Sequence, residues 1–457
     1  MRRTAALDSI EDPELLRIPT YEAVPPPEAR FVTEYLRTRG YYATNNGKTD
    51  YQFAPPATAW DENHSDAHWR HRPDPEQPFF SVFNFIDSHE SRVWVNADKP
   101  LKTDPDSVDV PPYYPDTPVV RRDIARNYDN IARVDEEVGR IVDQLRVDGL
   151  LDETIVFFFG DHGSGLPRMK RTVYDSGIRV PLIVRFPEGM GPEGHEPGAS
   201  TDRLVSFVDF APTLLSLAGV AVPDYMAGRP FLGPQAGSPR DYVFASRDRM
   251  DPARHTRRAV SDGRFKYIRN YRPERPFLQF LPYRNRMDLM QEILRVKEEG
   301  RLDSSRHWQW LAESMPMQEL YDTKTDPHEI NNLVDKERYA DKLAELRRAE
   351  QRWRRRTDDM GLIPEPVLKN ILWPPHGEQP RVEAPTIQAD PVGDGTRDVR
   401  LRSATAGTSI AYKTASDQPW QVYQDALHLS PDDTLRAKAV RMGFEDSKTV
   451  TWKGGGK

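Results

Sequence analysis

Short runs of apolar residues alternate along this chain with longer segments in which apolar and polar positions follow a helical period. The runs 79–86, 154–159 and 180–185 are rich in aromatic and β-branched residues and predict buried strands. In segment 118–148 apolar residues recur every three or four positions after Thr117, a good helix cap, which predicts one long helix. Because helices and strands alternate, we expect an α/β fold, with a mostly parallel sheet flanked by helices. The predicted apolar stripe of the long helix is Ile124, Tyr128, Ile131, Val134, Val138, Ile141 and Leu145. Three smaller elements are also predicted: a helix at 28–39, a strand at 41–44 and a helix at 210–218 that is capped by Asp209.

The pattern changes after about residue 240, where turns and charged helices replace the buried strands. Segment 259–268 predicts a β-hairpin, because Asp-Gly is a typical two-residue turn between strands. Segments 285–315 and 335–357 predict charged amphipathic helices. The predicted domains are an α/β core at 1–240, a small antiparallel C-terminal subdomain at 241–362, a proline-rich linker at 363–388 and a small β-sandwich at 389–457.

Composition narrows the function classes only a little. The chain has 457 residues, 64 basic and 71 acidic, with a net charge of −7, which argues against a bulk nucleic-acid binder. It contains no Cys, so disulfides are excluded and the redox compartment stays open. No apolar run approaches the roughly 20 residues of a membrane span.

An acid and an imidazole follow the predicted strand 154–159, in the tetrapeptide Gly160-Asp161-His162-Gly163. The carboxyl ends of strands are where open α/β sheets bind ligands, and a carboxylate beside an imidazole suits a divalent metal. On these residues alone, a solvated loop Asp and a structural His explain the pattern equally well.

The residues that follow resemble the sulfatase family of the alkaline-phosphatase superfamily. The order is strand, Asp-His, a basic loop starting at Lys170, Gly-Ile-Arg-Val-Pro and a second strand. The resemblance covers roughly residues 1–360. Within the family, the heparan N-sulfatase group is the most similar, on the segments 111–118 and 48–50. Other family-like segments, in the expected order, are 40–48, 79–89, 208–215 and 319–333.

The resemblance implies roles for five residues. Asp161 and His162 stand at the metal-ligand positions of the family, and the expected cation is Ca²⁺. Lys48 and Lys170 match the two lysines that hold sulfate oxygens. His89 matches the site histidine, a candidate general acid, and a loop histidine bonded to backbone is the alternative.

Four further charged residues are candidates for contacts with a sugar. Asp50 stands where many family members have His, so its role is open; a carboxylate there can pair with the lysine two residues before it. Arg247, Arg249 and Asp251 form a dense charge pattern that could bind a uronate, since Arg binds carboxylates through two hydrogen bonds. A solvated charge run is the alternative.

The family nucleophile has no counterpart in this sequence. Sulfatases use a formylglycine made from Cys or Ser in a Cys/Ser-x-Pro/Ala-x-Arg motif, which the resemblance places before Gly40 together with an Asp-Asp metal pair. The chain has no Cys, and neither feature precedes Gly40. We therefore expect a chain truncated at its N-terminus, inactive as it stands; a natural pseudoenzyme is the alternative.

The resemblance implies a hydrolase that cleaves sulfate esters or N-sulfates of a sulfated glycan, periplasmic or secreted. Its expected partner is a sulfated carbohydrate, with no nucleic acid and no membrane span. Two alternatives stay open: a phosphodiesterase or phosphonate hydrolase of the same superfamily, and a non-catalytic protein that binds sulfated glycans. The predicted β-sandwich resembles the Fn3-like modules of bacterial glycan hydrolases.

Overall fold

The computed structural model of the chain describes residues 22–51, 53–192, 196–250, 253–373, 378–393 and 395–454. Among them, no helix is long and apolar enough to cross a bilayer. The helices are α1 (Val32–Arg37), α2 (Ser91–Val95), α3 (Pro118–Val147), α4 (Asp175–Ile178), α5 (Phe210–Leu217), α6 (Asp288–Glu298), α7 (Trp308–Leu311), α8 (Ala340–Arg356) and α9 (Glu365–Leu372). The strands are β1 (Tyr42–Asn46), β2 (Glu62–His64), β3 (Phe79–Phe83), β4 (Val156–Phe159), β5 (Leu182–Arg185), β6 (Val243–Met250), β7 (Ala253–Ser261), β8 (Phe265–Asn270), β9 (Gln318–Asp322), β10 (Thr386–Gly393), β11 (Thr396–Arg402), β12 (Ser409–Lys413), β13 (Gln421–Val422), β14 (Leu427–Leu429), β15 (Thr434–Val440) and β16 (Val450–Lys453).

The chain divides into two compact units, each built from segments that are distant in sequence. The first unit contains Phe85–Ser206 and Pro239–Leu362. The second unit contains the described part of Arg17–Asn84, Phe207–Ser238 and the described part of Ile363–Lys457. The predicted domain boundaries stay predictions.

Helix α3 is the main helix of the first unit and confirms the predicted helix almost residue for residue. Thr117 caps it, because its hydroxyl accepts a hydrogen bond from the Val120 amide at 3.4 Å, and Pro118 opens the first turn. The predicted stripe is only partly correct. Ile124 and Leu145 are buried, but Tyr128 and Ile131 are exposed. Part of the helix face that packs inward is instead polar, with Asp123, Asn127, Asp129 and Asn130 buried.

Strands β4 and β5 correct the prediction of a mostly parallel sheet. They pair antiparallel with each other, Val156 opposite Arg185, in a two-stranded sheet. The crossover of a parallel pair is usually a helix, and the one helix in the segment between these strands, α4, has only four residues. The strands are also less buried than predicted, with Phe159 41% exposed and Ile183 61% exposed.

An antiparallel sheet in the order β6-β7-β8-β9 forms the other half of the first unit. The predicted hairpin is confirmed: β7 and β8 are joined at Asp262-Gly263, and Gly263 has a φ of +94°, which favours glycine. The Asp262 carboxylate accepts the amides of Arg264 and Phe265 across this turn. The helix predicted over 285–315 is wrong in extent, since only α6 and the short α7 form there. The helix predicted over 335–357 is confirmed as α8.

In the second unit, β1 lies between β2 and β3 in a parallel three-stranded sheet, so the expected parallel arrangement holds here. Helices α1 and α5 pack together through Leu36 and Leu215. Asp209 precedes α5 but does not cap it, because its carboxylate accepts the amide of Arg229 instead.

The C-terminal part of the second unit is a module of two antiparallel sheets, in the orders β10-β11-β14 and β13-β12-β15-β16. Both sheets contribute to one apolar core, with Val399 and Leu401 from β11 and Leu435 and Ala437 from β15. The stretch 363–388, predicted as a linker, contains helix α9 and the start of β10.

Candidate active site

Asp161 and His162 lie in the turn after β4, where the sequence predicts metal ligands. The Asp161 side chain is 75% exposed, and its Oδ2 is 3.5 Å from His162 Nε2. The other ring nitrogen, Nδ1, donates a hydrogen bond to the Gly163 carbonyl at 2.6 Å, which fixes the neutral tautomer and leaves a lone pair on Nε2. Histidines that bind metals are commonly held in this way.

These two side chains supply only part of a metal site. In the described part of the chain, no group of three or more His, Cys, Asp or Glu side chains could hold a metal ion. Ca²⁺ takes six to eight oxygen ligands, so one carboxylate and one imidazole leave it short of donors. The pair fits two positions of a divalent site, and Ca²⁺ stays a prediction.

His89 lies between β3 and α2 in a turn that sets its tautomer. Its Nδ1 accepts the Ser91 amide at 3.3 Å and is 2.8 Å from the Ser91 hydroxyl oxygen. Because Nδ1 accepts from the amide, the proton of the neutral ring lies on Nε2. The histidine therefore does bond to backbone, as the alternative interpretation held, and the same bond leaves Nε2–H as a hydrogen-bond donor.

Glu90, the next residue, is the anion around which the basic loop folds. The Arg171 guanidinium donates to both of its oxygens, at 2.9 and 2.7 Å, and Lys170 Nζ is 3.2 Å from Oε1. The Glu90 side chain is 1% exposed. Burial opposes its charge, but the hydrogen bonds and charges of Arg171 and Lys170 outweigh that effect and lower the pKa of Glu90. Both cations are therefore fixed by one carboxylate.

Backbone shape lets the loop close on Glu90. A Cβ placed on Gly165 would lie 2.4 Å from the Cβ of Glu90, so only glycine permits this approach. Arg171 has a φ of +71°, a left-handed conformation that costs energy for a side chain of this kind. The ion pair with Glu90 offsets that cost.

Behind the Lys170–Arg171 segment the first unit forms a basic pocket, which we define by Arg168, Lys170, Arg171, Arg247, His255 and Arg284. Arg284 is buried and donates to the Gln279 carbonyl at 2.7 Å and to Asn285 Oδ1 at 3.1 Å. Burial, then the charges of Arg257, Arg284 and Arg171, lower the pKa of Arg247. The pocket therefore gathers positive charge in a place with little access to water.

Arg247 and Arg249, both predicted to contact a sugar, are separated by the structure. Arg247 lines the basic pocket. Arg249 is also buried, but it is not among the residues that line this pocket. The pairing of β6 with β7 shifts register between these two residues, which accounts for their different directions. Asp251 lies outside the described residues.

Lys48 and Asp50 lie in the second unit, after β1. The Lys48 ammonium is 3.0 Å from Asp50 Oδ2, and both side chains are more than 40% exposed. The structure thus shows the pairing that the sequence allowed, and Asp50 reaches it with a φ of +48°.

Sequence patterns did not indicate Glu90, Arg284 or His255. Glu90 directly follows His89, a predicted site residue, and this position was the sequence signal available for it. Its burial beside two cations becomes visible only in the folded chain. Arg284 and His255 come from a loop and a strand more than 80 residues after Lys170. Only the folded β6–β7 hairpin and the loop before α6 bring them to the same pocket.

Comparison with known proteins assigns the family. The sequence model of the sulfatase family matches residues 32–220. An ulvan-active sulfatase of Formosa agariphila is 41% identical over 95% of this chain and 77% of its own length. The human N-sulphoglucosamine sulphohydrolase is 30% identical over 60% of this chain and 56% of its own length. The chain belongs to the sulfatase family, whose members are sulfuric ester hydrolases.

Solved structures confirm the fold class at low sequence identity. A 2-O GAG sulfatase is 20% identical, with a TM-score of 0.52, over 73% of this chain and 76% of the solved chain. A sulfatase solved with its substrate D-glucosamine-2-N,6-O-disulfate is 16% identical, with a TM-score of 0.52, over 75% of this chain and 85% of the solved chain. The fold is that of the alkaline-phosphatase-like sulfatases.

Proposed function

We propose that this chain carries the sulfate-binding residues of a hydrolase that removes sulfate, as an ester or as an N-sulfate, from a sulfated glycan. The observation that supports it most is the 41% identity, over 95% of the chain, to an ulvan-active sulfatase. A second relative is named an N-sulphoglucosamine sulphohydrolase, which extends the class of substrate from esters to N-sulfates.

In this proposal Lys170 offsets the negative charge of the sulfuryl oxygens while the bond from sulfur to the leaving atom breaks. An ammonium group carries three N–H donors, so one side chain can contact both Glu90 and a sulfate oxygen. Glu90 is then a positioning residue, because it fixes Lys170 and Arg171 without contacting the substrate. Lys48 is proposed as the second cation, in its pair with Asp50.

His89 is proposed as the general acid. As the imidazolium, the ring would give its Nε2 proton to the atom that leaves sulfur and return to the neutral form, which keeps its other proton on Nδ1. The Ser91 hydroxyl oxygen, 2.8 Å from Nδ1, can accept a hydrogen bond from that Nδ1–H. Asp161 and His162 are proposed as two ligands of a divalent cation, which would withdraw charge from the sulfate; no proton transfer is assigned to it.

No residue of this chain is proposed as the nucleophile. The 457 residues contain no Cys, and no Ser-x-Pro/Ala-x-Arg motif precedes Gly40. A bound sulfate ester without a covalent nucleophile reacts slowly, so we expect this chain to bind sulfated sugars without releasing sulfate.

The test is binding and sulfate release by the full 457-residue chain. Ligands are ulvan oligosaccharides and D-glucosamine 2-N-sulfate, each beside its desulfated counterpart, titrated by calorimetry, with free sulfate measured by ion chromatography. We expect sulfate-dependent binding that weakens about tenfold in Lys170→Ala and is unchanged in Lys324→Ala, an exposed lysine of the same unit.

Three results would contradict parts of the proposal. Equal affinity for sulfated and desulfated sugars would exclude the function. Sulfate-dependent binding that survives Lys170→Ala would exclude the role of Lys170. Sulfate release that disappears in His89→Ala would support the hydrolase and refute the absence of a nucleophile.

A further inference from the structure

The lining of the basic pocket is strongly positive. Five of its lining side chains are cationic, and none of its lining residues is acidic. Glu90, which contacts Lys170 and Arg171, can neutralise one of the five charges. Uncompensated charge away from water is costly, so a protein that retains it in a pocket has a use for it.

Two arginines of this pocket lack an acidic partner within the described residues. The buried Nε of Arg247 has no hydrogen-bond partner there. The Arg284 guanidinium is held by neutral oxygens alone, the Gln279 carbonyl and Asn285 Oδ1. An orphaned buried donor beside a second guanidinium that contacts only neutral oxygens is the arrangement expected when an absent anion completes the site.

We infer that the basic pocket binds a second anionic group of the substrate, a carboxylate or a further sulfate, through Arg247 and Arg284. This inference rests on the proposed function, since it assigns Lys170 to the sulfate that is hydrolysed. Guanidinium forks bind carboxylate and sulfate oxygens in pairs, and Arg247 and Arg284 line the same pocket as Lys170. The substrate class narrows to glycans in which a second anion lies near the sulfate that is removed.

The chemistry of the pocket also favours arginine over lysine for this role. Burial, then the Arg171 charge, lower the pKa of Arg284, and the same forces act on Arg247. Since guanidinium stays protonated where an ammonium would lose its charge, arginines keep the pocket positive until the anion arrives. A bound anion relieves the repulsion among the cations.

Two matched ligand pairs test the inference by calorimetric titration of the full chain. The first is glucosamine 6-O-sulfate beside D-glucosamine-2-N,6-O-disulfate. The second is a monosulfated disaccharide with a uronate beside the same sugar with its carboxylate reduced to an alcohol. We expect the second anion to strengthen binding about tenfold or more in at least one pair. The pair that responds distinguishes a second sulfate from a carboxylate.

The affinity ratio of a pair is the affinity for the ligand with the second anion divided by the affinity for the ligand without it. Arg247→Gln and Arg284→Gln should bring this ratio close to one. Arg286 is an exposed arginine two residues after Arg284, and Arg286→Gln should leave the ratio unchanged. Arg284 is buried, so thermal melting checks its fold, and the partly exposed Arg247 serves as the independent variant. A wild-type ratio near one in both pairs overturns the inference. Equal losses for both members of a pair in Arg247→Gln do so too, since the pocket would then hold the hydrolysed sulfate.

Failure of this inference and failure of the proposed function give different results. Sulfate-dependent binding through Lys170 without an arginine-dependent ratio would leave the function standing and remove the second subsite. An arginine-dependent ratio in which Lys170→Ala changes nothing would leave an anion-binding pocket and remove the proposed site of hydrolysis.

Discussion

The sheet of the first unit and the two sheets of the C-terminal module are built on different kinds of core. In the first unit, β7, β8 and β9 bury complete charges, among them Arg257 and Lys266 at 1% exposure and Glu319 at 0%. In the C-terminal module, among the described residues 378–454, Ser447 is the one buried polar side chain. The sheet of the first unit adds directed hydrogen bonds between buried charges to its apolar packing, whereas the C-terminal module depends on removal of apolar surface from water.

The hydrogen bonds between buried charges of this sheet determine where the candidate active site lies. Glu319 of β9 accepts hydrogen bonds from Arg257 at 2.7 Å and from the hydroxyl of Tyr174 at 2.7 Å. Tyr174 ends the loop that carries Lys170 and Arg171. Lys266 of β8 pairs with Asp175 and Glu329 and so fixes the start of α4. Apolar packing alone would tolerate several orientations of this loop, whereas these bonds specify one.

The largest effect expected on this comparison is that of Glu319→Ala. It leaves Arg257 buried without its carboxylate and removes the acceptor of two tyrosine hydroxyls, at a cost of about 4 kcal/mol. Urea denaturation followed by near-ultraviolet circular dichroism measures it. Glu313→Ala, an exposed acid of the same unit, should change stability by less than about 0.5 kcal/mol. A loss under about 1 kcal/mol for Glu319→Ala would show that the charges are dispensable to this core.

Sequence patterns predicted local features of the first unit better than the pairing of its strands. Periodicity located α3, and Asp-Gly located the β7–β8 turn, because both signals are local. The antiparallel pairing of β4 with β5 was missed. Pairing direction depends on partners, which a run of apolar residues does not identify.

The candidate site was predictable only where a local motif marks it. Asp161, His162, His89 and Lys170 follow predicted strands or a family-like loop, and the structure places all four in the first unit. Glu90 and Arg284 have no local motif. Glu90 acquires its role only when Gly165 lets the loop approach it, and that contact spans 75 positions, between residues 90 and 165.

Leu435→Ala tests the apolar core. Leu435 is fully buried between the two sheets of the module, and its truncation should cost about 3 kcal/mol through lost burial and a residual cavity. Because no charge is involved, the loss of stability in Leu435→Ala should be the same at 0.05 M and 1 M NaCl. The loss of stability in Glu319→Ala should depend on salt only to the extent that water reaches the buried charges around residue 319. Thermal melts at both salt concentrations measure it. A Leu435→Ala loss that varies with salt would contradict a purely apolar core.

Glu90→Gln is the smallest of the three changes and separates charge from hydrogen bonding. Gln keeps one acceptor oxygen for Arg171 but removes the negative charge, at a cost of about 2 kcal/mol at neutral pH. The folded-state pKa of Glu90 lies below its ordinary value of 4.5, so its charge stabilises the fold above that pH. As pH falls through 4.5 the unfolded chain takes up the proton first, and the advantage of the wild type shrinks. The difference in unfolding free energy between wild type and Glu90→Gln should therefore be largest above about pH 5.5 and decrease steadily toward pH 3. A difference that stays constant over this range would mean that the Glu90 pocket depends on shape, as the C-terminal module does, and that its cations need no carboxylate to hold them.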